Sequence, residues 1–181
     1  RVYRAGNRHG SCVMLEGAGG SGRSRALEAC VLEAKQLGAL TLSVGAKTTG
    51  ARPFALAQAC AVQLRESVPE LGSAAVPESA GDRNAVQSAL VRCFLEAAHN
   101  RTLVLAIDDV DRADAASGAW LATLADRVRH HRLLVLFTVE RDVRGSSVDP
   151  VVEVLAERSA RVTLDALSRQ QNADILAFML Q

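Results

Sequence analysis

Gly17-Ala18-Gly19-Gly20-Ser21-Gly22-Arg23-Ser24 decides the fold. The stretch follows an apolar run, Cys12-Val13-Met14-Leu15, and opens a pattern with helical spacing. Strand, glycine-rich turn and helix is the context in which a backbone cradles phosphate. Glycines let the chain curl through positive φ without a Cβ clash. Successive N–H groups then line a nest for an anion, and the helix adds its unpaired donors and positive dipole end. The spacing is that of G-x-x-x-x-G-K-[ST] with one departure, Arg23 where the lysine belongs. Candidate phosphate contacts therefore run through Gly17, Ala18, Gly19, Gly20, Ser21, Gly22, Arg23, Ser24 and Arg25. Ser24 would place its hydroxyl on Mg²⁺, and Arg23 would have to act on the β- and γ-phosphates. A guanidinium is always charged and forks onto phosphate oxygens, but it is larger and flatter than an ammonium. Binding is expected to survive that exchange more readily than catalysis.

Outward from the loop, the pattern alternates between strands and helices. Ser11 to Glu16 reads as the first strand, and a helix from near Gly22 buries Leu27, Cys30, Val31 and Ala34 before Gly38 stops it. Leu40 to Val44 is a second strand. Lys47 to Arg52 is a loop, and Pro53 suits a first helical position. Ala57, Cys60, Ala61, Leu64 and Val68 form the buried stripe of that helix. Pro69 to Gly81 reads as a surface loop. Asp82 caps a third helix, whose inward face is Val86, Ala89, Leu90, Cys93, Phe94 and Ala97. Thr102 to Ile107 is nearly all apolar, as expected of a central parallel strand covered on both faces. A helix over Ala113 to His130 buries Leu121, Leu124, Ala125 and Val128, with Trp120 in the core or as a partly exposed anchor. A strand over Leu133 to Val139, a short helix from Pro150 to Ala156 and a strand over Arg161 to Leu164 follow. Ser168 caps a last helix. The class is α/β with a mainly parallel sheet. Residues 1–165 form the core domain, and 166–181 begin a following helical segment.

Composition narrows the partners. The 181 residues are 49% apolar, enough for one packed domain, and the formal charge of +1 gives no basis for a broad nucleic-acid surface. No apolar run approaches the roughly 20 residues of a membrane span, and no secretory leader is visible, so the reading is cytoplasmic with no membrane partner. The chain begins at Arg1 without methionine and reads as an excised piece. Cys12, Cys30, Cys60 and Cys93 are widely spaced in apolar surroundings. They read as buried free thiols rather than a zinc site.

The third strand ends in Asp108-Asp109-Val110-Asp111. Across from a phosphate loop, Asp108 would hold Mg²⁺ beside Ser24, and Asp109 would orient or deprotonate the attacking water. Asp111 and Asp114 read as turn and cap residues. The segment Leu103 to Asp114 resembles the Walker B region of signal-transduction ATPases with numerous domains, a branch of the AAA+-like P-loop NTPases. Its resemblance is nearest to the ATPase module of large LuxR-type transcriptional regulators. There Asp-Asp-x-x-x-Ala-Asp precedes a helix and then an apolar strand ending near Thr-x-x-Arg, here Thr138 to Arg141. A late Leu-x-x-Leu-Ser stretch is matched at Leu164 to Ser168.

That resemblance implies a three-layer α/β/α sandwich with five strands in the order 5-1-4-3-2 and nucleotide at the strands' carboxyl ends. It implies that Thr138 takes a sensor position near the γ-phosphate, the alternative being an ordinary strand residue. Arg141 either reaches the pocket or the Asp108 loop, or forms a surface ion pair. Arg158 and Arg161 lie where an oligomeric relative presents an arginine finger; a surface helix end is the plainer reading. Arg127 to Arg132 reads as a solvated basic helix end. The expected function is a Mg·ATP-binding, slowly hydrolysing regulatory module, with ATP or ADP and Mg²⁺ as cofactors. The output would lie in flanking domains, through which alone nucleic acid would be met. The alternative is a catalytically inactive nucleotide-binding or scaffold domain, because of Arg23. A small-molecule kinase is the third class, disfavoured by the Asp-Asp-x-x-x-Ala-Asp and Thr138–Arg141 segments.

Overall fold

The computed structural model describes residues 9–71, 82–141 and 150–166, together with residues 168, 171 and 177. Five parallel strands form one sheet: β1 (Ser11–Gly17), β2 (Leu40–Gly45), β3 (Leu103–Asp108), β4 (Leu133–Glu140) and β5 (Ala160–Leu164). Their order is β2-β3-β4-β1-β5, the order implied by the resemblance. The helices are α1 (Arg23–Gln36), α2 (Ala55–Ser67), α3 (Arg83–Asn100), α4 (Ala115–Arg127) and α5 (Pro150–Glu157).

The two-residue period of the strands sorts the core into two layers. Leu103, Leu105 and Ile107 of β3, with Val135 and Phe137 of β4, face α2, α3, α4 and α5. Val104 and Ala106, with Leu134 and Leu136, face α1 through Leu27, Val31 and Ala34. Trp120 lies wholly in the larger layer, edge-to-face against Phe94 with ring centroids 5.1 Å apart. Burial pushes the thiols of Cys12 and Cys60 up to about 12, so both stay neutral, unreactive apolar filler.

The connection from β1 to β2 runs one way across the sheet, and every later connection runs back the other way. Because parallel crossovers keep one hand, this reversal puts α1 alone on its face. It also opens a crevice at the carboxyl ends of β1 and β4, whose connections diverge.

Helix ends explain where the sequence reading and the structure part. Helix α1 stops as expected. Gly38 turns to φ +79°, its N–H reaches the carbonyl of Lys35, and that of Ala39 reaches Ala34. Helix α2 starts at Ala55, so Pro53 lies before the helix rather than at its first position, and Phe54 takes a positive φ of 62°. The reason is tertiary. The Asp114 carboxylate accepts from the N–H groups of Phe54 (2.8 Å) and Leu56 (3.4 Å), and the Ser117 hydroxyl accepts from Ala57 (3.1 Å). Asp114 also caps α4 by accepting from the N–H of Ser117 at 2.9 Å. One carboxylate thus closes two helices, and α4 begins at Ala115 rather than Ala113. Asp82 caps α3 as read.

The exposed edge of β2 is closed by the side-chain amide of Gln63, which accepts from the Ser43 N–H and donates to the Ser43 carbonyl. A neighbouring chain would have to displace it to pair there. Ser168 and Gln171 exchange two hydrogen bonds in a capping box. The rest of that last helix, residues 72–81 of the expected loop and residues 1–8 lie outside the described residues.

Asp114→Ala is expected to remove caps from two helices and cost about 2–4 kcal/mol, each cap contributing about 1–2 kcal/mol. Urea unfolding would measure it; a loss under about 1 kcal/mol would show that α2 does not depend on this carboxylate.

Candidate functional site

Four strands deliver side chains to one level at their carboxyl ends. In the strand register Gly45 sits beside Asp108, Gly17 beside Glu140, and Leu15 beside Thr138. The turn after β2 (Ala46–Thr48) brings Lys47, the end of β3 brings Asp108 and Asp109, the end of β4 brings Thr138 and Glu140, and β1 runs into the glycine loop.

The loop is shaped by its glycines. Gly20 and Gly22 have φ of +80° and +88°, with open space where a Cβ would stand. Gly17 is required for a different reason: a Cβ there would lie 2.4 Å from Ser21 Oγ and 2.5 Å from the Leu164 carbonyl. Gly22 stands at the N-cap of α1 and offers no side-chain cap, and the first turn holds no acid. Helices α2, α3 and α4 all have their first donors closed by carboxylates or hydroxyls; α1 does not. Its unpaired N–H groups and positive dipole end therefore face the crevice. Among the described residues, buried side-chain polar atoms without a partner are Ser21 Oγ, Arg23 Nε and Trp120 Nε1, two of them in this loop.

The acids are held by hydroxyls. Ser24 Oγ donates to Asp108 Oδ2 at 2.8 Å, and Thr138 Oγ1 donates to Asp108 Oδ1 at 2.6 Å. Thr138 Oγ1 in turn accepts from the Asp109 N–H at 2.7 Å. Thr138 is fully buried, and Asp109 takes a left-handed φ of 54°. The hydroxyl of Thr138 thus fixes one acid's side chain and the next acid's backbone.

Arg23 is buried. Its guanidinium donates to the Gly17 carbonyl and lies 3.4 Å from Glu140 Oε2 and 3.6 Å from Asp109 Oδ1. The other oxygen of Asp109 meets Lys47 Nζ at 2.8 Å. That hydrogen bond, then the carboxylate's charge, holds the Lys47 ammonium above its ordinary value. The cluster therefore sets Asp108, Asp109 and Glu140 against Arg23 and Lys47.

Other residues singled out in the sequence lie apart. Arg25 points outward, 3.5 Å from Glu28. Arg141 pairs with Glu16 at 3.5 Å on the surface, and only its backbone N–H touches the site, through the Gly17 carbonyl. Asp111 accepts from the Glu140 N–H and pins the turn after β3 to β4. Arg158 pairs with Asp126 near the far end of α4, and Arg161 lies in the exposed strand β5. Among the described residues no group of three or more His, Cys, Asp or Glu side chains is arranged to hold a metal.

Sequence reasoning missed Glu140 and Lys47. A signal for Lys47 was present: the chain has nineteen arginines and only two lysines, Lys35 and Lys47. A lysine kept in so arginine-rich a chain stands out, and it follows a strand next to the one that ends in Asp108.

Comparison with known proteins agrees with this architecture. The family model of the AAA ATPase domain matches residues 1–136, and the chain belongs to that family. The fold is similar to that of ORC1 from Aeropyrum pernix in complex with DNA (TM-score 0.63, 15% identity, 94% of this chain and 43% of that one). It is also similar to a DNA replication initiation factor (0.58, 14%, 94% and 44%) and to AMPPCP-bound DnaA from Aquifex aeolicus (0.50, 18%, 93% and 44%). The chain spans under half the length of each of these solved chains. No curated protein matches it.

Thr138→Val keeps the shape but removes a buried donor and acceptor, leaving the Asp109 N–H unpaired. It is expected to cost about 1–3 kcal/mol in chemical denaturation. Thr138→Ser, which retains the hydroxyl, is expected to cost less; equal losses would show that the methyl group, not the hydroxyl, carries the effect.

Proposed function

We propose that this AAA ATPase domain binds Mg·ATP in the loop Gly17–Ser24 and hydrolyses it slowly, as the switch of a larger regulator. The observation that carries the reading is the convergence of an uncapped helix start with a hydroxyl–carboxylate pair. Ser24 follows the open N-terminus of α1 and meets Asp108, 2.8 Å away, from the neighbouring side of the crevice. The first feature suits a phosphate, and the second suits its divalent cation. Orphaned donors on Ser21 and Arg23 fit a ligand rich in acceptors.

Charge argues for the metal. Three carboxylates against two cations would repel a bare triphosphate. Ser24 and Asp108 would hold Mg²⁺, which when bound supplies charge neutralisation on the phosphate oxygens. Asp109 would orient water. Thr138, bound to both acids, sits where a change at the γ-phosphate would be felt. AMPPCP-bound DnaA shows that a protein of this fold holds an ATP analogue, which supports the same ligand here. The resemblance of Leu103–Asp114 to the signal-transduction ATPases, and to LuxR-type regulators among them, supports the regulatory role, with output through flanking domains. Nucleic acid would be reached through those domains. Among the described residues no helix is long and apolar enough to cross a membrane, and no cysteine is in a disulfide; a cytoplasmic setting is in keeping with both.

A second reading, binding without hydrolysis, is favoured by one observation: the guanidinium of Arg23 is already engaged by Gly17, Glu140 and Asp109.

Calorimetric titration of Mg·ATP into nucleotide-stripped protein, with phosphate detection on the same sample, tests both. Saturable binding with slow phosphate release is expected, and Asp108→Asn should weaken Mg·ATP binding by about 10–100-fold. Binding without release selects the second reading. No binding overturns both.

A further inference from the structure

The loop position that calls for a flexible ammonium carries Arg23, and Arg23 is poorly placed to move. It is buried, 8% exposed, and three acceptors on three elements hold it: the Gly17 carbonyl, Glu140 and Asp109. Drawing it toward a phosphate would break its contacts with the Gly17 carbonyl and with Glu140 and leave Asp109 to Lys47 alone. Lys47 differs in each respect. Its side chain is 55% exposed, and among the described residues its one ion-pair partner is Asp109 Oδ2 at 2.8 Å. The backbone beneath it is fixed. Ala46 is buried, Thr48 Oγ1 donates to the Gly45 carbonyl at 2.8 Å, and Thr49 Oγ1 donates to the Ala46 carbonyl at 2.9 Å. A compact ammonium on a four-carbon stem, anchored at its base and tied at its tip by one contact, can change partner without disturbing the fold. Lys47 and Arg23 lie on opposite oxygens of the same carboxylate.

The same contact bears on Asp109. Its two oxygens face the two cations, Oδ1 toward Arg23 at 3.6 Å and Oδ2 toward Lys47 at 2.8 Å. Departure of Lys47 opens Oδ2 to water.

We propose that Lys47 supplies the γ-phosphate-binding ammonium that Arg23 does not: it holds Asp109 in the nucleotide-free protein and passes to the terminal phosphate when ATP binds, releasing Asp109 toward water. This rests on the ATP site argued above. It gives the site a preference for ATP over ADP that resides in the turn after β2, outside the glycine loop. The hydrogen bond to Asp109 raises the affinity of Lys47 for its proton, so it holds Asp109 as an ammonium.

The test compares Lys47→Met with the unaltered chain by calorimetry. The variant is expected to lose about tenfold or more in Mg·ATP affinity, the worth of a charge-assisted contact, while Mg·ADP affinity stays within about twofold. Its thermal midpoint without nucleotide should hold, since the side chain is half exposed. Asp109→Asn should tighten Mg·ATP binding by setting Lys47 free, and should give no such gain when combined with Lys47→Met.

A second readout is independent of affinity. With only Lys35 and Lys47 in the chain, acylation by a succinimidyl ester can be followed by mass spectrometry at each. Mg·ATP should protect Lys47 more than Mg·ADP does, and Lys35 should respond to neither. Equal weakening of ATP and ADP by Lys47→Met, no weakening, or indifference of Lys47 acylation to ATP overturns the role of Lys47 while the nucleotide site stands. Failure of the unaltered chain to bind either nucleotide overturns the site itself.

Discussion

The hydroxyl of Thr138 sits where the sheet meets its crevice, and much of the molecule is arranged by it. It is fully buried, so it must both donate and accept, and it finds both partners on β3: the Asp108 carboxylate and the Asp109 N–H. The second bond holds Asp109 in its left-handed conformation. That turn directs the chain into the short 3₁₀ segment Val110–Arg112, where Asp111 is fastened to the end of β4. Three residues later the chain presents Asp114 to the first turns of α2 and α4 together. A single buried hydroxyl therefore stands behind the placement of two acids and the start of two helices. This explains how an unstrained strand can end in consecutive carboxylates without their repulsion opening the sheet: each has its own donor.

The parts of this fold legible in the sequence are those governed by local period. Leu103 to Ile107 is apolar at every residue because it is covered on both faces, and α1 buries Leu27, Val31 and Ala34 at helical spacing. The glycine loop was legible because its residues answer to backbone conformation, which is also local; Gly20, Gly22 and Gly38 all have positive φ. The capping role of Asp114 at α4 could be read, its capping of α2 could not. Pro53 is a reasonable first residue for a helix by propensity, but a carboxylate sixty positions away sets the true start. Glu140 and Lys47 were missed for the same reason. Each is unremarkable in its own stretch and acquires meaning only when strand order puts β2, β3, β4 and β1 side by side.

Strand order also accounts for the mixture of charges. Consecutive strands in sequence do not all adjoin, so the loop on β1 borders β4 and β5, while the acids on β3 border β2. The guanidinium of Arg23 spans that arrangement, reaching Gly17 and Glu140 on its own side and Asp109 on the other. A lysine at this position could not make all three contacts; it has the donors but lacks the planar fork that spreads them. Arg23 is thus a structural cation, tying β1, β4 and the residue after β3 together at the carboxyl ends of the strands.

The two cations of the site differ in stiffness, and this decides how such a site can respond. Arg23 belongs to the framework: it is buried, and moving it would break contacts with Gly17, Glu140 and Asp109. Lys47 belongs to the surface, with one ion-pair partner and half its side chain in water. Any anion entering the crevice meets the rigid positive end of α1 on one wall and the movable ammonium on the other. The rigid wall sees whatever sits in the loop, as a helix terminus attracts any phosphate. The movable wall responds only to charge that outcompetes Asp109. The proposed roles of binding and discrimination thus fall to different strands, β1 for the first and β2 for the second. The turn carrying Lys47 runs through residues 49–54 directly into the start of α2, which Asp114 holds from the Asp108–Asp109 side.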